Sequence, residues 1–156
     1  MLAFYHKRSF KEKTLSIENK KIKGYIINSG VPHFVIFVKN INAPDSMNIA
    51  KKIRYNKQFA PKGTNVNLVK KENSGKINVR TYERGVEAET QSCGTGAVAS
   101  AYVSTKILKL KFPIKVITRG GNLIITEEKR KIFLSGKVKE IYSGVFNLPN
   151  FMNKIF

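Results

Sequence analysis

Residues 95–108, TGAVASAYVSTKIL, constrain the fold more than any other stretch of this chain. The pattern predicts a helix from about Thr95 to Leu108. Its first half is small on every side, with Ala97, Ala99, Ser100 and Ala101. A helix that is apolar or small all round is buried, and small side chains let neighbouring backbone approach closely. The rest of the sequence supplies the neighbours as strands. Residues 22–28 (IKGYIIN) and 33–38 (HFVIFV) are rich in β-branched and aromatic residues. Residues 66–70 and 76–82 alternate and predict a hairpin around Asn73-Ser74-Gly75. Further strands are predicted over 113–118, 122–126, 131–135 and 137–146, with turns at Gly120-Gly121 and at the EEKRK run. Pro44-Asp45-Ser46 predicts a helix start, followed by Ile49, Ile53 and Tyr55 near one face, and 56–64 predicts a loop. The fold class is therefore α+β: a curled, largely antiparallel sheet around one central helix.

Composition narrows the function. A hydrophobic fraction of 42% supports a sizeable core. No run of about 18 apolar residues offers a membrane span, and the opening MLAFYHKRSFKEK lacks the apolar segment of a signal peptide. A single cysteine, Cys93, excludes an internal disulfide and fits a reducing compartment, so a cytoplasmic location is expected. His6 and His33 are far apart, and no metal site is expected. The net charge of +19 invites a nucleic-acid reading. The charge is spread along the chain, however, and falls to −1 over residues 78–100, around Cys93. It comes from 23 Lys against 6 Arg, and base readout favours Arg. Ile outnumbers Leu 17 to 8, so A/T-rich coding accounts for the lysines without a polyanion partner. Nucleic acid is not the expected partner.

The thiol lies in Ser-Cys-Gly-Thr-Gly, at the start of the buried helix. Backbone N–H groups of a first helical turn have no intrahelical partner, and with the helix dipole they attract anions. They should favour thiolate and lower the pKa of Cys93 toward neutrality. The same amides, at Gly94 and Thr95, could hold a substrate carboxylate. Glu83, Arg84, Glu87 and Glu89 stand just upstream, and Arg84 could clamp a carboxylate while Glu83 exchanges or orients a proton. A cysteine-protease reading needs a histidine base. His33 is the only reasonable candidate, with no Asn or Asp orienter evident around it.

The segment ERGVEAETQSCGTGAVA resembles the second active-site motif of the diaminopimelate epimerases, cofactor-independent amino-acid epimerases. SGVPHFVIFV (29–38), FAPKGTNVNLV (59–69) and RGGNLIIT with IFLSGKVKEIYSGVF resemble further segments of that family, in the same order, over roughly 22–146. The resemblance implies two pseudosymmetric halves, each a curled sheet around a central helix, with one cysteine from each half. One thiolate removes the α-proton and the other thiol reprotonates the opposite face, without pyridoxal phosphate or any other cofactor. It implies that Cys93 is one acid/base, with Glu83 and His33 supporting catalysis. Glu83 would tune Cys93, and His33 would support the other cysteine. Asn65, Glu83, Arg84, Gly94 and Thr95 would bind substrate. Val31 stands where many members carry Asn, and Gly136-Lys137-Val138 stands where the family has Gly-Pro-Ala.

The resemblance divides the chain into an N-terminal remnant, 1–21, and a C-terminal epimerase half-domain, 22–156. MLAFYHKRSF is similar to the stretch that follows the family's first cysteine. The expected partners are an amino-acid substrate and the missing N-terminal half or another subunit, with no membrane. Two alternatives stand beside this reading. One is a related epimerase or racemase for another amino acid. The other is an inactive, truncated basic module.

Overall fold

Three strands and the helix that crosses them position everything that follows. In the computed structural model, the backbone of residues 2–4 and the whole of residues 10–145 are described. Strand β4 (Pro32–Phe37) pairs in parallel with β5 (Asn65–Asn73), and β5 pairs antiparallel with β6 (Lys76–Glu83). The β5–β6 turn is the predicted one, with Gly75 N–H donating to Asn73 Oδ1. The sheet continues on one side through β3 (Lys20–Asn28) to β2 (Phe10–Ile17). On the other side it runs through β8 (Ile114–Thr118), β9 (Gly121–Glu128) and β10 (Lys131–Gly136) to β1 (Leu2–Phe4). The short β7 (Ala88–Thr90) pairs with the end of β6. Two pairings are parallel, β4–β5 and β6–β8, and the others are antiparallel.

The sheet must curl. Nine strands in a row would hold the outermost pair about 38 Å apart if flat, at about 4.8 Å per step. Those outermost strands are β1 and β2, and six residue steps from Phe4 to Phe10 reach at most about 22 Å. Inside the curl lies α2 (Gly94–Ile107), which touches β3 to β6 and β8 to β10. The core around it comprises Ala97, Val98, Ala101 and Val103 with Val35, Val69, Val79, Ile114 and Ile125. Helix α1 (Ser46–Arg54) lies on the outer face, over Leu15, Phe34, Ile36, Val66 and Leu68. The core β4 residues Phe34 to Phe37 alternate between these two cores, which is why that strand reads as one continuous apolar run.

Two expectations need correction. Residues 137–145 form no strand, and position 146 lies outside the described residues. Val138, Ile141, Tyr142 and Val145 are almost fully exposed. Their spacing of three and four cannot share one face of a sheet, and the free edge of β10 is taken by β1. Tyr55 does not join the buried face of α1. Ser46, Ala50 and Ile53 are buried, whereas Tyr55 is 57% exposed beyond the helix end. Phe10–Ile17, within the segment read as a remnant, forms a strand with Leu15 and Ile17 buried. Most of MLAFYHKRSF, His6 included, lies outside the described residues.

Candidate active site

Cys93 is the residue from which α2 starts. Its backbone is extended (φ −125°, ψ 108°), and its carbonyl accepts the first helical hydrogen bond from Ala97 N–H at 2.8 Å. The side chain is free of capping and buried, with 7% of the residue exposed. Gly96 makes room beneath it. A Cβ there would run into Asn67 Nδ2 and stand 3.2 Å from both Cys93 Sγ and Thr81 Oγ1.

The strand faces turned toward α2 end in polar residues at this point. His33 on β4, Asn65 and Asn67 on β5 and Thr81 on β6 are all buried. Asn67 lies directly across from Thr81 in register and donates from Nδ2 to Thr81 Oγ1 at 2.8 Å. Its Oδ1 is 2.7 Å from His33 Nδ1. His33 Nε2 is 3.1 Å from Thr95 Oγ1, which in turn is 3.5 Å from Cys93 Sγ. Ser29 Oγ donates to the Thr95 carbonyl at 2.8 Å. One connected row of polar groups thus runs from Thr81 to the thiol. Burial depresses the pKa of His33 to about 4, with the Arg84 charge acting the same way and the Asn67 hydrogen bond opposing, so the ring is neutral at pH 7.

The thiol itself departs from the expectation. Burial pushes Cys93 above its ordinary range. The Thr95 hydroxyl and the N–H groups of Gly96 and Thr95 pull it down, and the Glu83 charge pushes it up. The helix N-terminus acts in the expected direction, but desolvation of the charged form outweighs it. Arg84 is not among the groups acting on the thiol. Its guanidinium reaches the Lys62 carbonyl at 3.4 Å, and its backbone N–H donates to Asn65 Oδ1 at 2.7 Å.

The four charged residues upstream separate into two kinds. Glu83 ends β6 and Arg84 opens the turn that follows, both half-buried. Glu87 and Glu89 hold the hairpin instead. Glu87 accepts from Arg54 at 2.6 Å and Tyr55 at 2.8 Å, while Glu89 takes two hydrogen bonds from Arg80, at 2.7 and 2.8 Å. Gly94 is exposed and Thr95 half-buried at the mouth of the site. A cavity of about 640 Å³ opens beside Ser92 and is lined by Lys115, Asn122 and Ser135, but not by Cys93.

Sequence reasoning missed Asn67, Thr81 and Ser29. The signal was available for Asn67. An amide inside the apolar run Val-Asn-Leu-Val of a strand must find buried partners. Asn67 is also the orienter of His33 that the sequence did not reveal. The histidine reaches Thr95 rather than the thiol, so Cys93 and His33 do not form the direct pair of a cysteine protease.

Comparison with known proteins follows the same lines. A family model described as diaminopimelate epimerase matches residues 25–141. The diaminopimelate epimerase of Aquifex aeolicus is 44% identical over 137 residues, 85% of this chain and 49% of the relative. That of Hydrogenobaculum sp. is 41% identical over 151 residues, 94% and 53%. That of Methanocella arvoryzae is 46% identical over 129 residues, 81% and 46%. The chain thus spans about half the length of these relatives. Among solved structures, a PhzF-family phenazine biosynthesis protein from Bacillus anthracis superposes with TM-score 0.50 at 20% identity over 86% of this chain and 40% of that one. One from Enterococcus faecalis gives 0.50 at 20% over 64% and 35%, and at such identity the likeness is one of fold. The buried helix, the strands wrapped around it and the motif that carries Cys93 are those of one lineage, and the chain belongs to the diaminopimelate epimerase family.

Proposed function

We propose that this chain supplies one of the two acid/base groups of a diaminopimelate epimerase, interconverting LL- and meso-2,6-diaminoheptanedioate in the cytoplasm. The observation that carries the reading is a thiol at the N-terminus of a buried helix, joined through Thr95 to a neutral histidine. In one direction the Cys93 thiolate takes the α-proton, the S–H bond forms and the C–H electron pair passes into the substrate carboxylate. A thiol on the opposite face then delivers a proton to the carbon. In the other direction Cys93 is the donor. N–H groups at Gly94 and Thr95 face the charge that develops on the carboxylate, where fixed donors act most strongly. Glu83, Arg84 and Asn65 are assigned to substrate. Asn65 Oδ1 is already engaged with Arg84 N–H, so Asn65 serves by holding that loop as well. His33, whose Nε2 meets Thr95 Oγ1, is assigned to support the thiol of the other half.

Inversion needs a group on each face, and Cys93 is the only cysteine of the chain. The partner is therefore a complementary half-domain. The test is LL-diaminopimelate in deuterated water with this chain, with and without that half. Deuterium incorporation with inversion is expected only when both are present, and Cys93→Ala should abolish it. Inversion surviving Cys93→Ala would overturn the reading.

A further inference from the structure

We propose that Arg119 and Gly120, the two-residue tip of the β8–β9 hairpin, are positioning residues for the thiol: they grip the loop that leads into Cys93 at two points. That loop is short. β7 ends at Thr90 and α2 begins at Gly94, so Gln91, Ser92 and Cys93 alone join them. Gln91 and Ser92 are exposed, and among the described residues Thr90 Oγ1 is buried without a hydrogen-bond partner. The anchors of the loop are on the hairpin tip. Gly120 N–H donates to the Gln91 carbonyl at 2.6 Å, and the Arg119 guanidinium meets Glu89 Oε1 at 3.0 Å. The tip itself is fixed, because Thr118 and Gly121 pair across it and Thr118 Oγ1 donates to the Gly121 carbonyl at 2.9 Å.

Stability does not account for both contacts. Glu89 already takes two hydrogen bonds from Arg80, and these two side chains are 14% and 12% exposed. That pair joins β7 to β6 without help. The Arg119 side chain is 52% exposed, and an exposed ion pair contributes about 1 kcal/mol at most. What Arg119 adds is direction: it ties the same carboxylate to a different part of the sheet, four residues before the thiol. Gly120 adds closeness. Its φ lies outside the left-handed range, so the backbone alone would accept a side chain. Contact forbids one, because a Cβ would stand 3.1 Å from the Gln91 carbonyl oxygen and 3.3 Å from the Gln91 Cβ. Held in this way, the loop keeps Cys93 in the buried place where α2 begins. Let go, it would expose the thiol, and the burial that raises its pKa would be relieved.

The proposal rests on the reading of Cys93 as a proton-transfer group, but its measurements need no turnover. In the unsubstituted chain, nitrogen NMR relaxation should give the Gln91 and Ser92 amides the order parameters of rigid backbone, about 0.85. Values below about 0.6 would overturn the proposal, and this result stands even if a variant does not fold. In the double variant Arg119→Ala, Gly120→Ala, the midpoint of Cys93 alkylation against pH should fall by about one pH unit, which makes reaction with iodoacetamide at pH 7 about tenfold faster. Loss of a cation by itself raises the pKa of a thiol, so a fall reports position and not charge. Glu83, the Thr95 hydroxyl and the N–H groups of Thr95 and Gly96, which act on the thiol, remain in every variant. Arg119→Lys alone should keep the unsubstituted profile. Gly75→Ala, at a turn where a Cβ meets only the Pro113 carbonyl at 3.9 Å, should keep it too. An unchanged or raised midpoint in the folded double variant, or an equal fall in Gly75→Ala, would also overturn the proposal. Failure of isotope exchange with these results intact would instead count against the epimerase reading alone.

Discussion

The same three strands present two very different faces. Toward α1, β4 to β6 show Phe34, Ile36, Val66, Leu68 and Tyr82, an apolar surface with one phenol at its edge. Toward α2 they show Val35, Val69, Ile77 and Val79, but at one end the series becomes His33, Asn65, Asn67 and Thr81. Alternation with period two is all that separates them. The outer face can be filled by shape alone. The polar end of the inner face is buried, so each of its groups must be matched to a partner. The lesson is that scaffold and chemistry share strands here and are divided by residue parity.

That contrast can be broken at either face. The largest effect is expected from Phe34→Ala on the α1 side. Phe34 is fully buried, and its loss should cost about 3–5 kcal/mol in chemical denaturation. Because no titrating group of the inner row is touched, the cost should be the same at pH 5 and pH 7.5. A pH-dependent cost would mean that the two faces are coupled.

On the α2 side the corresponding experiment is a change of pH. His33 has a folded pKa near 4, below its ordinary value of 6.5, so the unfolded chain takes up the proton first as pH falls. The stability carried by the neutral ring is full above about pH 6.5 and is lost as pH falls toward 4, on the order of 3 kcal/mol. His33→Gln should flatten the stability profile between pH 6.5 and 4.5. If the slope persists in that variant, another group is responsible.

Two glycines of the same helical turn sharpen the comparison at smaller scale. Gly96→Ala puts a methyl group against Asn67 and should cost about 1–3 kcal/mol, with faster or slower alkylation of Cys93 as the row shifts. Gly94→Ala meets only Leu134 Cδ1 at 3.6 Å, an ordinary contact, and should change stability by less than about 1 kcal/mol. Equal effects would show that Gly96 is not needed for close approach.

What could be read from sequence follows the same division. The buried helix was legible because Ala97, Ala99 and Ala101 leave no polar face, and β3, β4 and the β5–β6 hairpin because their apolar periodicity is set locally. Cys93, Glu83 and Arg84 were singled out through their motif, which lies in one contiguous stretch of sequence. The row beneath them was not. Asn67 meets His33 34 positions away, and Thr95 meets it 62 away, so the contact exists only once β4 and β5 pair in parallel and α2 crosses them. The sign of the Cys93 shift failed for a related reason. A helix N-terminus can be inferred from adjacent residues, but the desolvation that outweighs it comes from the whole curl of the sheet. Edge strand β2 escaped notice because Lys11, Glu12 and Lys13 precede the only two buried side chains, Leu15 and Ile17.

That edge gives the lysine excess a use. An outermost strand carries unpaired backbone groups and is a template for another copy of itself. On β2, Lys11, Glu12 and Lys13 crowd the line along which a second strand would dock, and Lys20, Lys21 and Lys23 follow on its neighbour. Two such edges brought together would desolvate Lys11 and Lys13 at close range, since Glu12 is already paired with Lys23 at 2.8 Å. A curled sheet whose outermost strand carries such lysines has little tendency to grow into a longer one.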